Sequence, residues 1–199
     1  NIGLIVNSGN ANAHTGKKGL QIIDQYTKYL SKNLGYKKNQ ILVSSTGVIG
    51  EIFDPRLIIN QINKIKQKKP GTLIEAAKSI MTTDTYPKLS IKDVKINNSN
   101  FKIYGIAKGS GMIHPNMGTM LAFIFIEADL SKKILNNLLQ SNLGNTFNSI
   151  SIDSDTSTSD TLAFFSIKKN KINFNNKKNY NILNKSIFNL MLDLSLKIV

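Results

Sequence analysis

Residues Met120 to Ile126 are the longest unbroken apolar run in the chain, and their length suits a strand rather than a membrane span. A strand apolar at every position is covered on both faces, so the chain must supply layers on either side of a sheet. Directly before it stands Lys108-Gly-Ser-Gly-Met-Ile-His-Pro-Asn-Met-Gly-Thr119, a small-residue turn. Gly109, Gly111 and Gly118 permit positive φ and close backbone approach, which puts Thr119 at the head of a buried strand. A threonine so placed is a candidate nucleophile. The alternative is that Gly118-Thr119 only ends a loop and begins a strand, since Gly favours turns and Thr favours strands.

The remaining periodicities predict an alternation of strands and helices. Ile2 to Val6 and Ile41 to Ser45 read as short buried strands, separated by an amphipathic helix over about 17 to 33 that carries Leu20, Ile23, Tyr26, Leu30 and Leu34 and closes before Gly35. Asp54-Pro-Arg opens a second helix, with Asp54 as its cap, and a third covers about 72 to 81. Two alternating segments around Asn97-Asn-Ser-Asn100 predict a hairpin. Further on come a helix over 132 to 141, a strand from Leu162 to Ile167, an exposed Lys/Asn-rich loop over 169 to 181, and a last helix over 183 to 198. This is an α/β pattern, read as one domain over 1–199, with both ends suggesting a fragment.

Composition narrows the chemistry. The chain has 199 residues and no cysteine, which removes disulfides, thiolate metal sites and a Cys nucleophile, and fits a cytoplasmic setting. Two isolated histidines, His14 and His114, make no metal motif. The formal charge is +14, yet only Arg56 of the 26 basic residues is an arginine, whereas base readout and phosphate forks favour Arg. A solvated lysine surface is therefore expected rather than a nucleic-acid site, and no membrane partner is expected either.

Several polar turns adjoin the buried elements, and turns of this kind gather at active sites. Serine-hydrolase logic fails for want of a Gly-x-Ser-x-Gly elbow, and Lys108-Gly-Ser-Gly-Met lacks the spacing of a phosphate loop. The run at 153 to 161 lacks the Gly and terminal Glu of a calcium loop, and reads by itself as a turn whose side chains satisfy backbone donors.

Five blocks in order are more specific than any one: Asn7-Ser-Gly-Asn-Ala-Asn-Ala13, Ser45-Thr-Gly-Val-Ile-Gly-Glu51, Met81-Thr-Thr-Asp-Thr-Tyr-Pro-Lys88, Lys108 through Phe123, and Asp153-Ser-Asp-Thr-Ser-Thr-Ser-Asp-Thr161. Together they resemble the ornithine acetyltransferase (glutamate N-acetyltransferase) family of arginine biosynthesis. The resemblance implies a layered sandwich of mixed β-sheets flanked by helices. It also implies an enzyme that cuts itself at Gly118-Thr119 into an α part, 1–118, and a β part, 119–199, then moves an acetyl group from N-acetylornithine to glutamate on Thr119.

The implied chemistry needs no histidine. A newly freed Thr119 amine, with an ordinary pKa of about 7.7–8.0, can take the hydroxyl proton as general base. The family's oxyanion donors fall on Thr46 and Gly47, and its substrate contacts on Lys108, Thr85 and Thr119. Asn10 and Asn12 receive no role, and His114 is placed at the surface or behind the site. The family implies an α2β2 heterotetramer, no metal and no required cofactor, with acetyl-CoA as an alternative acetyl donor. Two features depart from the pattern: Gly118 stands where the family usually has alanine, and the family's downstream substrate-binding Glu has no counterpart. The competing readings are an N-terminal-nucleophile aminopeptidase of related fold and a non-catalytic lysine-rich binding module.

Overall fold

A parallel pair of strands needs a crossover, and the first part of the chain supplies one. In the computed structural model, which describes residues 2–65, 69–113, 120–153, 155 and 157–199, β1 (Gly3–Asn10) and β2 (Ile41–Val48) run parallel, joined through α1 (Gly16–Leu34). Gly35 ends α1 in the left-handed conformation, φ 71°, with its N–H donating to the Ser31 carbonyl. Next come α2 (Arg56–Ile65) and α3 (Leu73–Ser79). Asp54 accepts the Arg56 N–H at 2.9 Å, in keeping with the cap expected of it, and Thr72 and Glu75 form a reciprocal capping box at the start of α3. These elements make up one compact unit, Asn1–Thr82.

The apolar face of α1 differs from the predicted stripe. Ile22, Tyr26 and Leu30 are buried, while Leu20 and Leu34 are exposed. A spacing of four keeps the three buried residues on one side of the helix; Leu20 sits roughly 200° around it from Ile22. Tyr26 fixes which side wins, since its ring is wholly buried with Phe53 beside it, at a centroid distance of 6.5 Å.

The second compact unit, Thr83–Val199, is built on a four-stranded mixed sheet in the order β3 (Lys88–Ile96), β4 (Ser99–Lys108), β5 (Leu121–Ile126), β6 (Thr161–Ser166). The hairpin β3–β4 turns through Asn97, whose φ of 53° suits an asparagine. Strand β5 is central, antiparallel to β4 and parallel to β6. As its composition requires, it is covered on both faces: Ala122, Ile124 and Ile126 join the main core, and the alternate residues Leu121 and Phe123 are buried as well. A chain crossover containing α4 (Lys132–Leu143) leads from β5 to β6, and α5 (Lys177–Ile198) packs across β3 and β4.

Helix α5 begins six residues before the predicted start, so part of the expected exposed loop is ordered structure. Asn176 caps it by accepting the Lys178 and Asn179 N–H groups, Asn179 is buried and donates to the Asn173 carbonyl, and Phe174 is buried in the core. Among the described residues, no helix is long and apolar enough to cross a membrane.

Gly105 lets α5 approach β4. A Cβ at that position would stand 2.7 Å from both Leu190 Cδ2 and Leu194 Cδ1, closer than carbon atoms tolerate. Gly105→Ala should therefore lower the stability of this unit by about 1–3 kcal/mol in urea unfolding, the usual range for overpacking. Gly144→Ala should act in the opposite direction, since nothing lies within 4 Å of a Cβ there and its φ of −61° is helical. Its expected gain is about 0.4–1 kcal/mol.

Candidate active site

The first two sequence blocks meet at the carboxyl ends of β1 and β2, where parallel strands commonly open toward a ligand. Gly9 pairs with Gly47 and Ser8 with Thr46. The turn after β1 is tied to the turn after β2: the Asn12 N–H donates to Ser45 Oγ at 2.9 Å, the Ala11 N–H to the Val48 carbonyl at 2.8 Å, and the Gly50 N–H to the Ala13 carbonyl at 3.0 Å. Asn10 Nδ2 adds a bond of 3.0 Å to the Glu51 carbonyl. Thr46 is 1% exposed. Gly47 has φ +127°, and a Cβ on it would lie 2.3 Å from the Gly9 carbonyl carbon, so only glycine fits.

The other three blocks converge in the second unit, at one end of the four-stranded sheet. Strand β3 begins there with Lys88, β4 ends there with Lys108, β5 begins after Met120, and β6 begins after Asp160. Lys88 and Lys108 are each 2% exposed, whereas the described lysines of the 64–69, 168–171 and 177–178 clusters are exposed. The bulk of the basic charge is thus a solvated surface, and these two lysines stand apart from it.

Asp84 explains how the first of them is accommodated. Its carboxylate accepts from Lys88 Nζ at 2.7 Å, and the same oxygen accepts the Gly109 N–H at 2.8 Å, so the third block is fastened to the turn that opens the fourth. The Lys88 ammonium also lies 4.7 Å from the centre of the Tyr86 ring. Beside this pair the hydroxyls of Thr83 and Ser110 share a hydrogen bond of 2.7 Å. Thr85 is exposed.

Lys108 carries its charge under different conditions. Burial lowers its pKa below the ordinary lysine value; Asp84 and Asp160 oppose that shift, and Lys88 adds to it. Asp160 is half-buried and accepts the Met120 N–H at 2.7 Å, while the Thr161 N–H donates to the Met120 carbonyl at 2.9 Å. Burial raises the Asp160 pKa, against the lowering effects of the Met120 N–H, the Ser157 hydroxyl and Lys108. Asp153, from the start of the same block, accepts the Ile113 N–H at 2.8 Å and the Met112 N–H, and the Met112 bond is the chief reason its pKa is lowered.

Of the residues singled out in the sequence, Thr46 and Gly47 lie in the first unit and Thr85 and Lys108 in the second. Gly118, Thr119 and His114 lie outside the described residues. The sequence pattern singles out neither Asp84 nor Lys88; the 153–161 run, read as a turn whose side chains satisfy backbone donors, does satisfy them through Asp153 and Asp160, with donors from other blocks. The available signal for the first two was a pair of opposite charges four residues apart, Asp84 and Lys88, within one block.

The chain matches the model of the ArgJ family over residues 2–199. It therefore belongs to the ArgJ family. It is 43% identical over 99% of its length to the arginine biosynthesis bifunctional protein ArgJ of Bartonella henselae, covering 49% of that protein. A mitochondrial relative of the same name from Dictyostelium discoideum is 42% identical over 98% of the chain and is covered over 45%. The chain thus spans about half the length of the curated relatives it matches. Among solved structures it is similar to an arginine biosynthesis bifunctional protein ArgJ from Bacillus halodurans, with a TM-score of 0.51 and 37% identity over 59% of this chain and 60% of that one.

Two expectations follow from the buried charges. Lys88→Met leaves the Asp84 carboxylate buried without its cation and should destabilise the protein by about 3–5 kcal/mol in urea unfolding. The sign for Lys108 is fixed by its lowered pKa: the unfolded chain holds the proton more strongly in the window between that value and 10.5, so stability contributed here rises with pH across it.

Proposed function

We propose that the full-length protein is a self-splitting acetyltransferase of the cytoplasm that moves the acetyl group of N-acetylornithine to glutamate, with Thr119 as nucleophile. The observation that supports this best is the ordered set of five blocks in a chain of the ArgJ family, three of which converge around Lys108 and the Met120 N–H. The ArgJ relatives are named for arginine biosynthesis, which is where such a transfer belongs.

The chemistry runs in two stages. In the first, Thr119 Oγ attacks the Gly118 carbonyl carbon, the Gly118–Thr119 C–N bond breaks, and the nitrogen takes up the hydroxyl proton. Water then hydrolyses the resulting ester, leaving a Gly118 carboxylate and a free Thr119 amine. In the second, that amine accepts the Oγ proton as Oγ attacks the acetyl carbonyl. The oxyanion is received by the Thr46 hydroxyl and the Gly47 N–H, in the roles the family resemblance assigns them. Collapse expels ornithine, which leaves with the proton; the amine of glutamate then attacks the acetyl-Thr119 ester, the acetyl C–Oγ bond breaks, and N-acetylglutamate departs as its surplus amine proton returns to Thr119 Oγ.

Lys108 suits the carboxylate of the amino-acid substrate as a compact charge, and Thr85 is its partner in substrate binding. The second-stage chemistry asks for no cofactor; acetyl-CoA remains an alternative donor for the same threonine. The α and β parts assemble as α2β2.

Intact mass of the purified full-length protein tests the first stage. Two chains parted before Thr119 are expected, with Thr119→Ala left whole; a single uncut wild-type chain contradicts the proposal. Incubation with N-acetylornithine and glutamate tests the second, since peptide hydrolysis without transfer would identify an aminopeptidase instead. Thr46→Val should lower kcat by about 10²–10³, the usual loss for one oxyanion donor. Lys108→Met should raise KM more than it lowers kcat. In the wild type, kcat/KM should fall as pH rises through a limb below 10.5, because the lowered Lys108 pKa removes the cation early; Asp84, Lys88 and Asp160 are the charges that set that limb.

A further inference from the structure

The run at 153 to 161 is a sequence block to which neither stage of that reaction gives work. It touches the chain on both sides of residues 114–119. On the upstream side Asp153 takes two successive main-chain donors, the Met112 and Ile113 N–H groups, and the Ile113 carbonyl accepts the Ile152 N–H at 2.8 Å and the Ser151 hydroxyl at 3.3 Å. On the downstream side both main-chain polar groups of Met120 are taken, the N–H by Asp160 and the carbonyl by the Thr161 N–H. A turn that merely satisfied its own backbone would not reach 40 residues away for its partners.

The upstream contact also holds an unfavourable backbone. Met112 has φ 56°, a left-handed conformation that costs a non-glycine residue roughly 1–2 kcal/mol. Such conformations persist where the surroundings over-determine them, and they collect at functional sites. A carboxylate accepting two adjacent N–H groups supplies that constraint, since hydrogen bonds to an ionised acceptor are stronger than neutral ones.

We propose that Asp153 and Asp160 are a two-point clamp, positioning residues that fix Met112, Ile113 and Met120, the described chain on either side of 114–119, for splitting at Gly118–Thr119, and that Asp160 then fixes Met120, the residue after the nucleophile, during transfer. This rests on the reading of the protein as a self-splitting threonine enzyme. Its physical basis is the steep dependence of intramolecular attack on geometry, in which a misplacement of about 1 Å costs on the order of a hundredfold in rate.

The test follows conversion of purified full-length precursor into two chains by intact mass over time. Asp153→Ala and Asp160→Ala should each slow splitting by about tenfold or more. Asp153→Asn and Asp160→Asn retain one acceptor oxygen and should recover much of the rate, with urea midpoints close to those of the alanine variants. In the chains that Asp160→Ala does split, kcat should fall while KM stays near the wild-type value. Alanine variants that split at the wild-type rate overturn the clamp, as do asparagine variants that recover only in step with regained stability. Wild-type protein that splits normally beside such variants confines the failure to the clamp; wild-type protein that never splits removes the self-splitting reading and the clamp with it.

Discussion

A carboxylate buried with a lysine needs hydrogen bonds beyond the ion pair itself, and Asp84 is where this chain meets that demand. One oxygen takes both the Lys88 ammonium and the Gly109 N–H, and both side chains are out of water. Two ions removed from solvent gain stability only when the geometry is good and further hydrogen bonds are made, and both conditions hold here. The consequence is positional. The start of β3 and the turn that follows β4 are fixed to the same atom, so Lys108, the last residue of β4, is placed by the pair although burial works against its own charge.

Much of the architecture could be read from periodicity. The two strands flanking α1, the hairpin at Asn97 and the central strand at 121–126 each followed from a local signal that tertiary packing did not override, whereas the parallel pairing of β1 with β2 is visible only in the structure. Two elements needed more. The buried face of α1 is chosen by Tyr26 and Phe53, a contact between residues far apart in sequence. The early start of α5 depends on Asn176 as a cap and on the burial of Asn179 and Phe174, and a Lys/Asn-rich composition conceals all three.

The site was legible unevenly. Glycine and hydroxyl residues mark turns by their backbone preferences, so the 44–50 and 108–119 stretches stood out, while Thr46 and Gly47 were singled out only by the family resemblance; the φ of +127° at Gly47 shows why no other residue serves there. Aspartates that accept main-chain N–H groups give no such signal, because their donors lie about 25 to 40 residues away. Asp84, Asp153 and Asp160 are the residues through which separate blocks become one surface. Their role is visible only once the strand ends are brought to the same edge of the sheet.

The mechanism is decided by where the acetyl group rests between donor and acceptor. Full-length protein incubated with N-acetylornithine alone, digested and analysed by mass spectrometry, locates it directly. One acetyl group on the peptide that begins at Thr119, discharged when glutamate is added, is the predicted result. Transfer to glutamate with that peptide unmodified throughout, or with the acetyl group resident on another residue, would contradict it.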